Sequence, residues 1–355
     1  MGFMKILLFP FSLLYGFVVF VRNLLFDLKI IKPAEYDFPV ISVGNLSMGG
    51  TGKTPHVEYL VRLLRENFKI ATLSRGYRRK TRGFIVASNE STERDIGDEP
   101  LQYSRKFDKT IVAVDSNRKR GIKKLRKLDP RPDIVILDDA FQHRYVKPGL
   151  SILLTDFHNL YKEDYLLPTG KLREPRKNAK RADIIVVTKT PRVLSPLTRR
   201  RIQNLLKPRA HQKLLFSFIS YDDPVPLYPA KQTSPRKKKH NYILLFTGIA
   251  NPYPLQEYLS NVCHELITIE FPDHHRYDSN DLDRIIESFN DIFARDKIIY
   301  TTEKDAMRLD RPEFSGSLAD LPIYYIPIRV NFHKCDDARF DKCVLEYVRK
   351  YFPEH

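Results

Sequence analysis

The feature that most constrains this chain is a glycine-rich segment that ends in Gly-Lys-Thr. The segment reads Ser47-Met48-Gly49-Gly50-Thr51-Gly52-Lys53-Thr54. An apolar run at 38–43 precedes it, and apolar residues at helical spacing follow it between 57 and 64. Strand, glycine-rich turn, Gly-Lys-Thr and helix is the order of a P-loop. The segment therefore predicts a site for a nucleoside triphosphate, although Ser47 stands where the motif usually has its first glycine.

Each residue type in this segment suits the binding of a polyphosphate. Small residues allow backbone N–H groups to wrap the phosphates, and the start of the following helix adds its positive dipole end. The ammonium of Lys53 neutralises charge between the outer phosphates, and the hydroxyl of Thr54 is a ligand for Mg²⁺. We expect the whole segment from Ser47 to Thr54 to bind the nucleotide.

The composition indicates a globular protein with an anionic partner. A chain of 355 residues with 42% hydrophobic residues can form one large or two modest cores. Cys263, Cys335 and Cys343 lack a metal-ligand spacing, which indicates reduced thiols. The net charge of +17 favours a nucleic acid, an acidic membrane or a phosphorylated substrate as partner. Because the sequence carries no known nucleic-acid module, we expect no nucleic acid partner.

The N-terminus is unusual because an uncharged stretch from Ile6 to Val21 lies between Lys5 and Arg22. This stretch is shorter than the ~20 residues that cross a bilayer core, and no signal-peptide cleavage site follows it. The pattern predicts an amphipathic helix that lies in the membrane interface, with its basic ends near lipid phosphates. A buried helix that packs on the main sheet is the alternative. The expected apolar face consists of Leu7, Leu8, Phe11, Leu14, Tyr15, Val18, Leu25 and Phe26.

Apolar and often β-branched runs recur along the chain after the P-loop. They lie at 68–74, 110–114, 133–139, 150–154 and 182–188, with helical stretches between several of them. Such runs are typical of parallel strands that are buried on both faces. The pattern predicts an α/β fold with a P-loop NTPase-like, doubly wound, mostly parallel sheet.

The character of the sequence changes near Tyr221. Residues 222–226 and the basic stretch from Lys231 to His240 are broken by prolines, as in a surface loop or linker. Strand-like runs at 242–248, 297–302 and 324–328 then predict a second, smaller α/β domain. We expect an N-terminal membrane helix over 1–30, a P-loop core domain over 31–223 and a C-terminal α/β domain over 224–355.

Further groups carry residue types that phosphoryl transfer requires. Asp138 and Asp139 end an apolar run, so they should lie at the sheet edge where the P-loop opens and where a carboxylate can hold Mg²⁺. Gly97-Asp98-Glu99-Pro100 places adjacent acids on a turn, and Asp273-His274-His275 places two histidines after a strand-like run. Ordinary polar loops are the alternative for both of these strings.

These strings make nearly the whole chain resemble the lipid A 4′-kinase family, the tetraacyldisaccharide kinases of Gram-negative bacteria. One departure is Ala140, where many members carry glycine. The resemblance rests on the P-loop string from Val43 to Pro55 and on Leu73-Ser74-Arg75-Gly76-Tyr77, Gly97-Asp98-Glu99-Pro100, Leu137-Asp138-Asp139-Ala140-Phe141-Gln142-His143-Arg144, Leu167-Pro168-Thr169-Gly170-Lys171-Leu172-Arg173-Glu174-Pro175, Phe246-Thr247-Gly248-Ile249-Ala250-Asn251-Pro252, Phe271-Pro272-Asp273-His274 and Thr302-Glu303-Lys304-Asp305.

The resemblance implies a kinase that uses ATP and Mg²⁺ to phosphorylate the 4′-hydroxyl of an acylated glucosamine disaccharide 1-phosphate in lipid A biosynthesis. Asp98 and His274 become the catalytic pair that activates the sugar hydroxyl, and either could hold the proton. Lys53 joins them as a catalytic residue. Arg75, Arg118, Arg144 and Arg173 become phosphate-binding or structural arginines that the sequence does not sort. The candidates for the metal sphere are Thr54, Glu99, Asp138, Asp139 and Gln142.

The resemblance also suggests where the protein works. An anionic lipid substrate would explain both the basic excess and the apolar N-terminus. We expect peripheral or monotopic association with the cytoplasmic face of the bacterial inner membrane, and no obligate protein partner.

Two other functions fit the P-loop without the resemblance. A GTPase or a metallochaperone-type ATPase should carry an Asn-Lys-x-Asp motif after a strand, whereas this chain has Thr188-Lys189-Thr190. An ATPase associated with nucleic acid would be stimulated by DNA or RNA, with a steep dependence on salt.

Overall fold

The computed structural model describes residues 3–228, 239–309 and 311–353 and divides the chain into two structural units. The first unit combines Met1–Ser220 with Val330–His355, and the second covers Tyr221–Arg329. The division lies close to the predicted junction at 223/224. It differs from the prediction at both ends of the chain, because the N-terminal helix and residues 330–355 are part of the first unit. The predicted basic loop from Lys231 to His240 falls mostly outside the described residues.

A mostly parallel sheet forms the centre of the first unit, with β3 antiparallel at one edge. Its central strands are buried at every position because helices cover both faces. The strands lie in the order β14-β8-β7-β6-β1-β5-β2-β4-β3, which confirms the predicted doubly wound α/β class. They are β1 (Val40–Asn45), β2 (Ile70–Ser74), β3 (Ile85–Val86), β4 (Ile111–Val114), β5 (Ile134–Asp138), β6 (Leu150–Asp156), β7 (Ile184–Thr188), β8 (Lys213–Tyr221) and β14 (Ile328–Phe332).

The helices of the first unit follow the apolar periodicity of the sequence. In the helix after the P-loop, Val57, Leu60, Val61 and Leu64 are fully buried, as their i, i+3, i+4, i+7 spacing predicts. A 3₁₀ helix covers Arg176–Arg181. The α-helices are α1 (Phe3–Asp27), α2 (Lys53–Leu64), α3 (Glu93–Ile96), α4 (Asp98–Lys106), α5 (Arg118–Leu125), α6 (Pro196–Leu206) and α11 (Asp336–Arg349).

Helix α11 explains why the end of the chain belongs to the first unit. Phe340, Val344 and Val348 lie on one face of the helix and are buried in the same core as α2. The Tyr347 hydroxyl accepts a hydrogen bond from the Val40 amide at 2.9 Å and donates one to the Val40 carbonyl at 3.2 Å. These contacts fix α11 beside the start of β1. The sequence pattern shows that α11 is amphipathic but not which sheet it covers.

The second unit has its own mostly parallel sheet and core. Leu244, Phe246, Ile285 and Ile299 are among its fully buried residues. Its strands lie in the order β11-β10-β12-β13-β9. The elements are β9 (Val225–Pro226), β10 (His240–Thr247), α7 (Tyr253–Ser260), β11 (Cys263–Glu270), α8 (Ser279–Asn290), β12 (Lys297–Thr302), α9 (Glu303–Leu309), α10 (Pro312–Leu318) and β13 (Ile323–Ile326).

Helix α1 covers most of the segment predicted over 1–30 and carries an exposed apolar surface. Its segment Leu7–Asp27 is long and apolar enough to cross a membrane by length and composition, unlike the shorter uncharged stretch considered above. The Tyr15 hydroxyl donates to the Arg173 carbonyl at 2.9 Å, and Phe26 is 4% exposed, so the prediction that both lie on the outward face is wrong. The buried stripe is Ser12, Val19, Asn23 and Phe26, and the exposed apolar side chains include Leu7, Phe9, Phe11, Leu13, Leu14, Phe17, Val18, Phe20, Val21 and Leu24.

Candidate active site

The P-loop lies where the direction of strand order reverses in the first sheet. Strand β1 lies between β5 and β6, and Val43 pairs with Asp138 in register. The carboxyl ends of these parallel strands therefore meet at one edge, which is where doubly wound sheets bind ligands. This confirms that the loop after β1 and the carboxylates after β5 share an edge.

The glycine-rich loop leaves room for a polyphosphate. A Cβ atom added to Gly49 or Gly50 would have no protein atom within 4 Å. At the start of the loop, Ser47 forms an antiparallel bridge with Leu172, and the Met48 amide donates to the Lys171 carbonyl at 2.7 Å. Because the bridge uses extended backbone that any residue adopts, serine can replace the usual first glycine.

Side chains from neighbouring strands brace the loop. The side-chain Nδ2 of Asn45 donates to the Thr51 hydroxyl at 2.8 Å, and the Thr188 hydroxyl donates to the Thr51 carbonyl at 2.9 Å. Gln142 donates to the Asn45 carbonyl at 2.6 Å, and Arg173 donates to the Asn45 side chain. The bracing role of Asn45 was missed by the sequence analysis, since nothing in the sequence pairs it with residues almost a hundred positions away.

Asp139 forms ion pairs with two cations. Its carboxylate lies 3.6 Å from the Lys53 ammonium and accepts hydrogen bonds from Arg173 at 2.8 and 3.1 Å. Burial opposes ionisation of Asp139, but the Arg173 hydrogen bonds and the Lys53 charge outweigh it and hold the pKa of the carboxyl below its usual range. Asp139 therefore positions Lys53 in this structure, a contact that the sequence analysis did not foresee.

Asp138 is a buried carboxylate with an unused oxygen. It is 2% exposed, and its Oδ2 accepts a hydrogen bond from Tyr103 at 3.1 Å. Its Oδ1 and the Oε1 of Gln142 have no hydrogen-bond partner among the residues that the structure describes. Burial, with the nearby charges of Glu99 and Asp139, raises the pKa of Asp138 to about 7.

These unused oxygens fit a hard divalent cation. Mg²⁺ prefers oxygen ligands and is usually held by one or two carboxylates together with substrate phosphates and waters. Within the described ranges, no group of three or more His, Cys, Asp or Glu side chains could hold a metal ion. Thr54 lies beside this edge, since Tyr103 hydrogen-bonds with both Thr54 and Asp138. Tyr103 is fully buried on α4 and was not singled out by the sequence analysis.

The acidic string at 97–100 meets the arginine string at 73–77. Asp98 is the first residue of α4, and Gly97 before it has a φ of 93°. A Cβ on Gly97 would lie 2.9 Å from the Tyr77 carbonyl oxygen, so only glycine allows the two loops to approach so closely. Glu99 lies close enough to raise the pKa of Asp138. The structure thus brings Glu99 close to Asp138 at the edge that carries the P-loop, with Asp98 next to it in the chain.

The structure also sorts the four arginines. Arg118 is 3% exposed and donates to the Asp115 carbonyl at 2.7 Å and the Asp138 carbonyl at 3.2 Å, so it lies at the site together with Arg173. Burial lowers the pKa of Arg118 to about 10, which leaves it cationic at neutral pH. Arg75 is exposed near Arg118. Arg144 instead contacts Asp27 of α1 at 2.6 Å and is structural.

A buried histidine forms a hydrogen bond with the backbone of the P-loop. His56 is 1% exposed, its Nδ1 donates to the Gly52 carbonyl at 2.7 Å, and its Nε2 accepts from the Ser217 hydroxyl at 3.0 Å. The carbonyl can only accept, so the neutral ring must carry its proton on Nδ1. Burial lowers the pKa of His56 to about 4. No local pattern in the sequence indicates this role, because Ser217 is far away along the chain.

The pKa of His56 predicts a loss of stability in weak acid. Below its ordinary pKa of 6.5, the unfolded state binds a proton that the folded state excludes until about pH 4. The free energy of unfolding should therefore fall by about 2 kcal/mol between pH 7 and pH 5 through this histidine. Urea unfolding at the two pH values would measure it. The pH dependence should be weaker in His56→Gln and unchanged in the exposed-histidine variant His264→Gln, and an unchanged dependence in His56→Gln would contradict the prediction.

In the second unit, three of the family strings converge on one buried ion pair. Asp305 is fully buried and accepts from the Gly248 amide at 3.0 Å and the Thr302 hydroxyl at 2.6 Å. Arg308 donates to Asp305 at 2.8 Å, to the Gly248 carbonyl at 3.0 Å and to the His274 Nδ1 at 3.2 Å. Arg308 was missed by the sequence analysis, although its i+3 spacing from Asp305 on α9 could have indicated the pair.

The neighbouring histidine has a different environment. His275 Nε2 lies 2.7 Å from the Asp281 carboxylate, and its ring stacks on Phe271 with the ring centres 4.8 Å apart. These contacts tie His275 to the N-terminal turn of α8. His274, not His275, contacts Arg308 of the buried ion pair.

Comparison with known proteins adds independent information. The family model described as tetraacyldisaccharide-1-P 4′-kinase matches residues 4–349. The chain is 44% identical to the tetraacyldisaccharide 4′-kinase of Parabacteroides distasonis over 98% of this chain and 96% of that protein. It is also 44% identical to the tetraacyldisaccharide 4′-kinase of Flavobacterium johnsoniae, over 99% of both chains.

A solved structure is similar over almost the entire chain. It is the crystal structure of LpxK from Aquifex aeolicus in complex with ATP, with a TM-score of 0.75 and 27% sequence identity. The match covers 97% of this chain and 99% of that chain.

Proposed function

The chain belongs to the tetraacyldisaccharide 4′-kinase family, and from that premise we propose how its residues carry out phosphoryl transfer. The protein is an ATP-dependent phosphotransferase that acts on the 4′-hydroxyl of an acylated glucosamine disaccharide 1-phosphate in lipid A biosynthesis. The matches lend no support to a GTPase, a metallochaperone-type ATPase or a nucleic-acid-associated ATPase.

The observation that carries the proposal is the shared sheet edge of the P-loop, Lys53 and the two aspartates. Lys53 lies at the start of α2, where it is paired with Asp139 and can contact the outer phosphates. Residues 47–54 bind the triphosphate through their backbone amides. Arg118 and Arg173 add positive charge at the same edge, which stabilises the charge of the transferring phosphoryl group.

We propose that Asp138, Thr54 and Gln142 hold the magnesium ion, with Glu99 nearby. The unused oxygens of Asp138 and Gln142 are the evidence for this choice. When bound, Mg²⁺ supplies charge neutralisation for the β- and γ-phosphates. Asp139 contributes by holding Lys53, through the ion pair described above.

We propose Asp98 and His274 as the pair that activates the sugar hydroxyl. Asp98 begins α4 next to Glu99, in the first unit, and His274 is fixed by Arg308 in the second unit. A carboxylate and an imidazole are the side chains that most often move a proton in such reactions. The residues in these roles come from the resemblance, and the variants discussed below test them.

A transfer assay tests the function directly. Purified protein is incubated in detergent with the acylated disaccharide 1-phosphate and ATP labelled on its γ-phosphate. We expect the label to appear in the lipid fraction in a Mg²⁺-dependent reaction. Label that appears only as inorganic phosphate, with stimulation by DNA or RNA, would refute the proposal and favour a nucleic-acid-associated ATPase.

We further propose that α1 lies in the plane of the membrane interface on its cytoplasmic face, where ATP is available. Polar groups on the inner side of α1 form hydrogen bonds with the rest of the first unit along much of the helix. The Ser12 hydroxyl donates to the Thr169 hydroxyl at 2.7 Å, and Arg22 donates to the Gln142 carbonyl at 2.6 Å. Asp27 accepts a hydrogen bond from Arg144. From Ser12 to Asp27 the helix rises about 22 Å. Because these hydrogen bonds run along the side of α1, the helix lies against the rest of the first unit. This favours a helix in the membrane interface over a helix that spans the membrane.

The polarity of α1 is inverted relative to a helix in water. Its buried stripe contains polar Ser12 and Asn23, whereas Leu14 and Phe17 on the outside are 65% and 63% exposed. A continuous exposed apolar surface of this kind marks a membrane or protein contact. The lipid substrate makes a membrane surface the contact we propose, with no obligate protein partner and no nucleic acid.

Polar substitution of the outer face of α1 should release the protein from membranes. In the triple variant Leu14→Gln, Phe17→Gln, Val18→Gln, the inner hydrogen bonds remain, so the protein should fold and bind ATP. Each apolar side chain contributes about 1.5–3 kcal/mol when buried, so partitioning into liposomes should fall by at least about a hundredfold. Liposome flotation measures this.

The control replaces exposed apolar residues outside α1. Val193 and Phe293 are 89% and 100% exposed, and Val193→Gln with Phe293→Gln should leave flotation unchanged. Unchanged flotation of the α1 triple variant would contradict the interfacial assignment.

A further inference from the structure

We infer that the Tyr103 hydroxyl orients two of the proposed magnesium ligands, so that Asp138 Oδ1 and the lone pairs of the Thr54 hydroxyl are left for the cation. The inference rests on the proposed magnesium site and adds a residue that acts through the ligands. Tyr103 is thereby a positioning residue of the reaction. All three side chains belong to the first unit.

The hydrogen bonds of Tyr103 have a defined direction. Its side chain is fully buried, and its hydroxyl bonds Asp138 Oδ2 at 3.1 Å and also Thr54. A phenol carries one proton, and an ionised carboxylate, the form that binds a cation, only accepts hydrogen bonds. The phenol proton therefore points to Asp138. The phenol oxygen is left to accept, so Thr54 is the donor in the second hydrogen bond.

This direction leaves lone pairs for a cation on both ligands. A threonine hydroxyl has one proton and two lone pairs, and donation to Tyr103 uses only the proton of Thr54. Asp138 is held through Oδ2, and its Oδ1 has no hydrogen-bond partner in the part of the chain that the structure describes. Mg²⁺ requires oxygen ligands in near-ideal octahedral geometry, so the orientation of each ligand affects its affinity. Loss of a group that orients a metal ligand typically lowers metal affinity by roughly tenfold to a hundredfold.

Buried contacts between α2 and α4 hold Tyr103 in place. Its ring lies in the core that the two helices share. The preceding residue, Gln102, donates to the Glu58 carboxylate at 2.8 Å, and Glu58 is 1% exposed. Lys106, one turn further along α4, lies 2.8 Å from the same carboxylate. Because Glu58 follows Thr54 by one turn of α2, these contacts fix α4 against the part of α2 that carries the metal ligand.

Removal of the Tyr103 hydroxyl tests the inference through nucleotide binding. Calorimetric titration measures the affinity for ATP once in EDTA and once in Mg²⁺. In Tyr103→Phe the affinity in EDTA should equal that of the wild type, because the loop amides and Lys53 bind the phosphates without the cation. The dissociation constant in Mg²⁺ should rise by about tenfold. A dissociation constant in Mg²⁺ equal to that of the wild type would overturn the inference.

A double-variant cycle separates positioning from packing. In Asp138→Asn the carboxylate ligand is already lost, so adding Tyr103→Phe should weaken ATP binding in Mg²⁺ much less than it does in the wild-type background. A purely structural role for Tyr103 would cost the same in both backgrounds and would overturn the inference.

Tyr347→Phe is the matched control. It removes a buried tyrosine hydroxyl from the same core, where that hydroxyl bonds the Val40 backbone. We expect Tyr347→Phe to lower the melting temperature and to leave ATP affinity unchanged both in EDTA and in Mg²⁺. A similar loss of affinity in Mg²⁺ would show that any weakening of this core has the effect, and would overturn the role of Tyr103. If thermal melting shows that Tyr103→Phe is unfolded, Tyr103→Met provides the same test, since methionine fills irregular core space without a hydroxyl.

These titrations keep the inference distinct from the proposed function. A wild-type protein that binds no ATP would refute the nucleotide site and the inference with it. ATP affinity that is the same in EDTA and in Mg²⁺ would refute the proposed magnesium site. If Mg²⁺ strengthens ATP binding equally in the wild type and in Tyr103→Phe, the magnesium site stands and only the positioning role fails.

Discussion

Replacing Lys53 by alanine is expected to lower kcat by about a hundredfold or more while the protein remains folded. The Lys53 side chain is 15% exposed and faces the phosphate edge, where it is paired with Asp139 at 3.6 Å. Loss of its charge removes stabilisation of the transferring phosphoryl group that is worth several kcal/mol, on the order of 3 or more. Folding should survive because Asp139 keeps its two hydrogen bonds from Arg173.

Thr54→Ala should have a loss of similar size for a different reason. Its hydroxyl is the proposed metal ligand at the start of α2, so removal weakens the neutralisation of the β- and γ-phosphates. Initial rates of label transfer at saturating substrate, with a thermal melt for each variant, measure both effects. Lys342→Ala is the matched control, since Lys342 is 72% exposed on α11. Turnover like that of the wild type in either P-loop variant would refute the assignment of this loop.

The site edge could be predicted because its signals are local in sequence. The P-loop follows a strand directly, and Asp138 ends the next strand in the sheet, so parallel register alone brings Val43 and Asp138 side by side. The second task of Asp139 was hidden, because the Arg173 that binds it comes from a distant loop. A motif therefore predicts where a carboxylate lies more reliably than what it binds.

The outward face of α1 was predicted for most of its residues, since Leu7, Phe11, Leu14 and Val18 are exposed, but Tyr15 and Phe26 contact the protein instead. Periodicity identifies an apolar stripe but does not show where the protein side of the helix begins. Here Ser12 and Asn23 face the protein, and Leu14 and Phe17 face outward. That inversion becomes visible only when the polar partners on the first unit, such as Thr169 and Arg144, are placed in space.

Residues that act through long-range contacts left no pattern to find. His56 reaches Ser217, Tyr103 reaches Asp138, and Arg308 reaches His274, each across a gap in sequence that no periodicity spans. The same is true of α11, whose amphipathic face is evident but whose partner, the core beside Val40, is not. Tertiary packing decides such pairings, and local propensity does not.

The sharpest expectation concerns Asp98 and His274 together. Asp98→Ala and His274→Ala should each lower kcat by about a hundredfold or more, while the affinity for ATP stays nearly intact. The affinity should survive because neither residue belongs to the P-loop that binds the triphosphate. Turnover at saturating substrate and nucleotide binding, measured separately, distinguish the two effects.

The double variant tests whether the two residues act as one unit. If Asp98 and His274 activate the sugar hydroxyl only together, removing either one removes most of the benefit of both. Asp98→Ala with His274→Ala should then be little worse than the more damaged single variant. Losses that multiply fully in the double variant would show two independent contributions and contradict the pairing.

The adjacent histidine decides whether His274 is the correct residue. His275 is tied to Asp281 and stacked on Phe271, so His275→Ala should lower thermal stability more than kcat. Loss of its contacts should loosen the first turn of α8 without changing the orientation of His274, whose amide is held by Gly248. A folded His275→Ala protein without activity would show that the proton-transfer role belongs to His275.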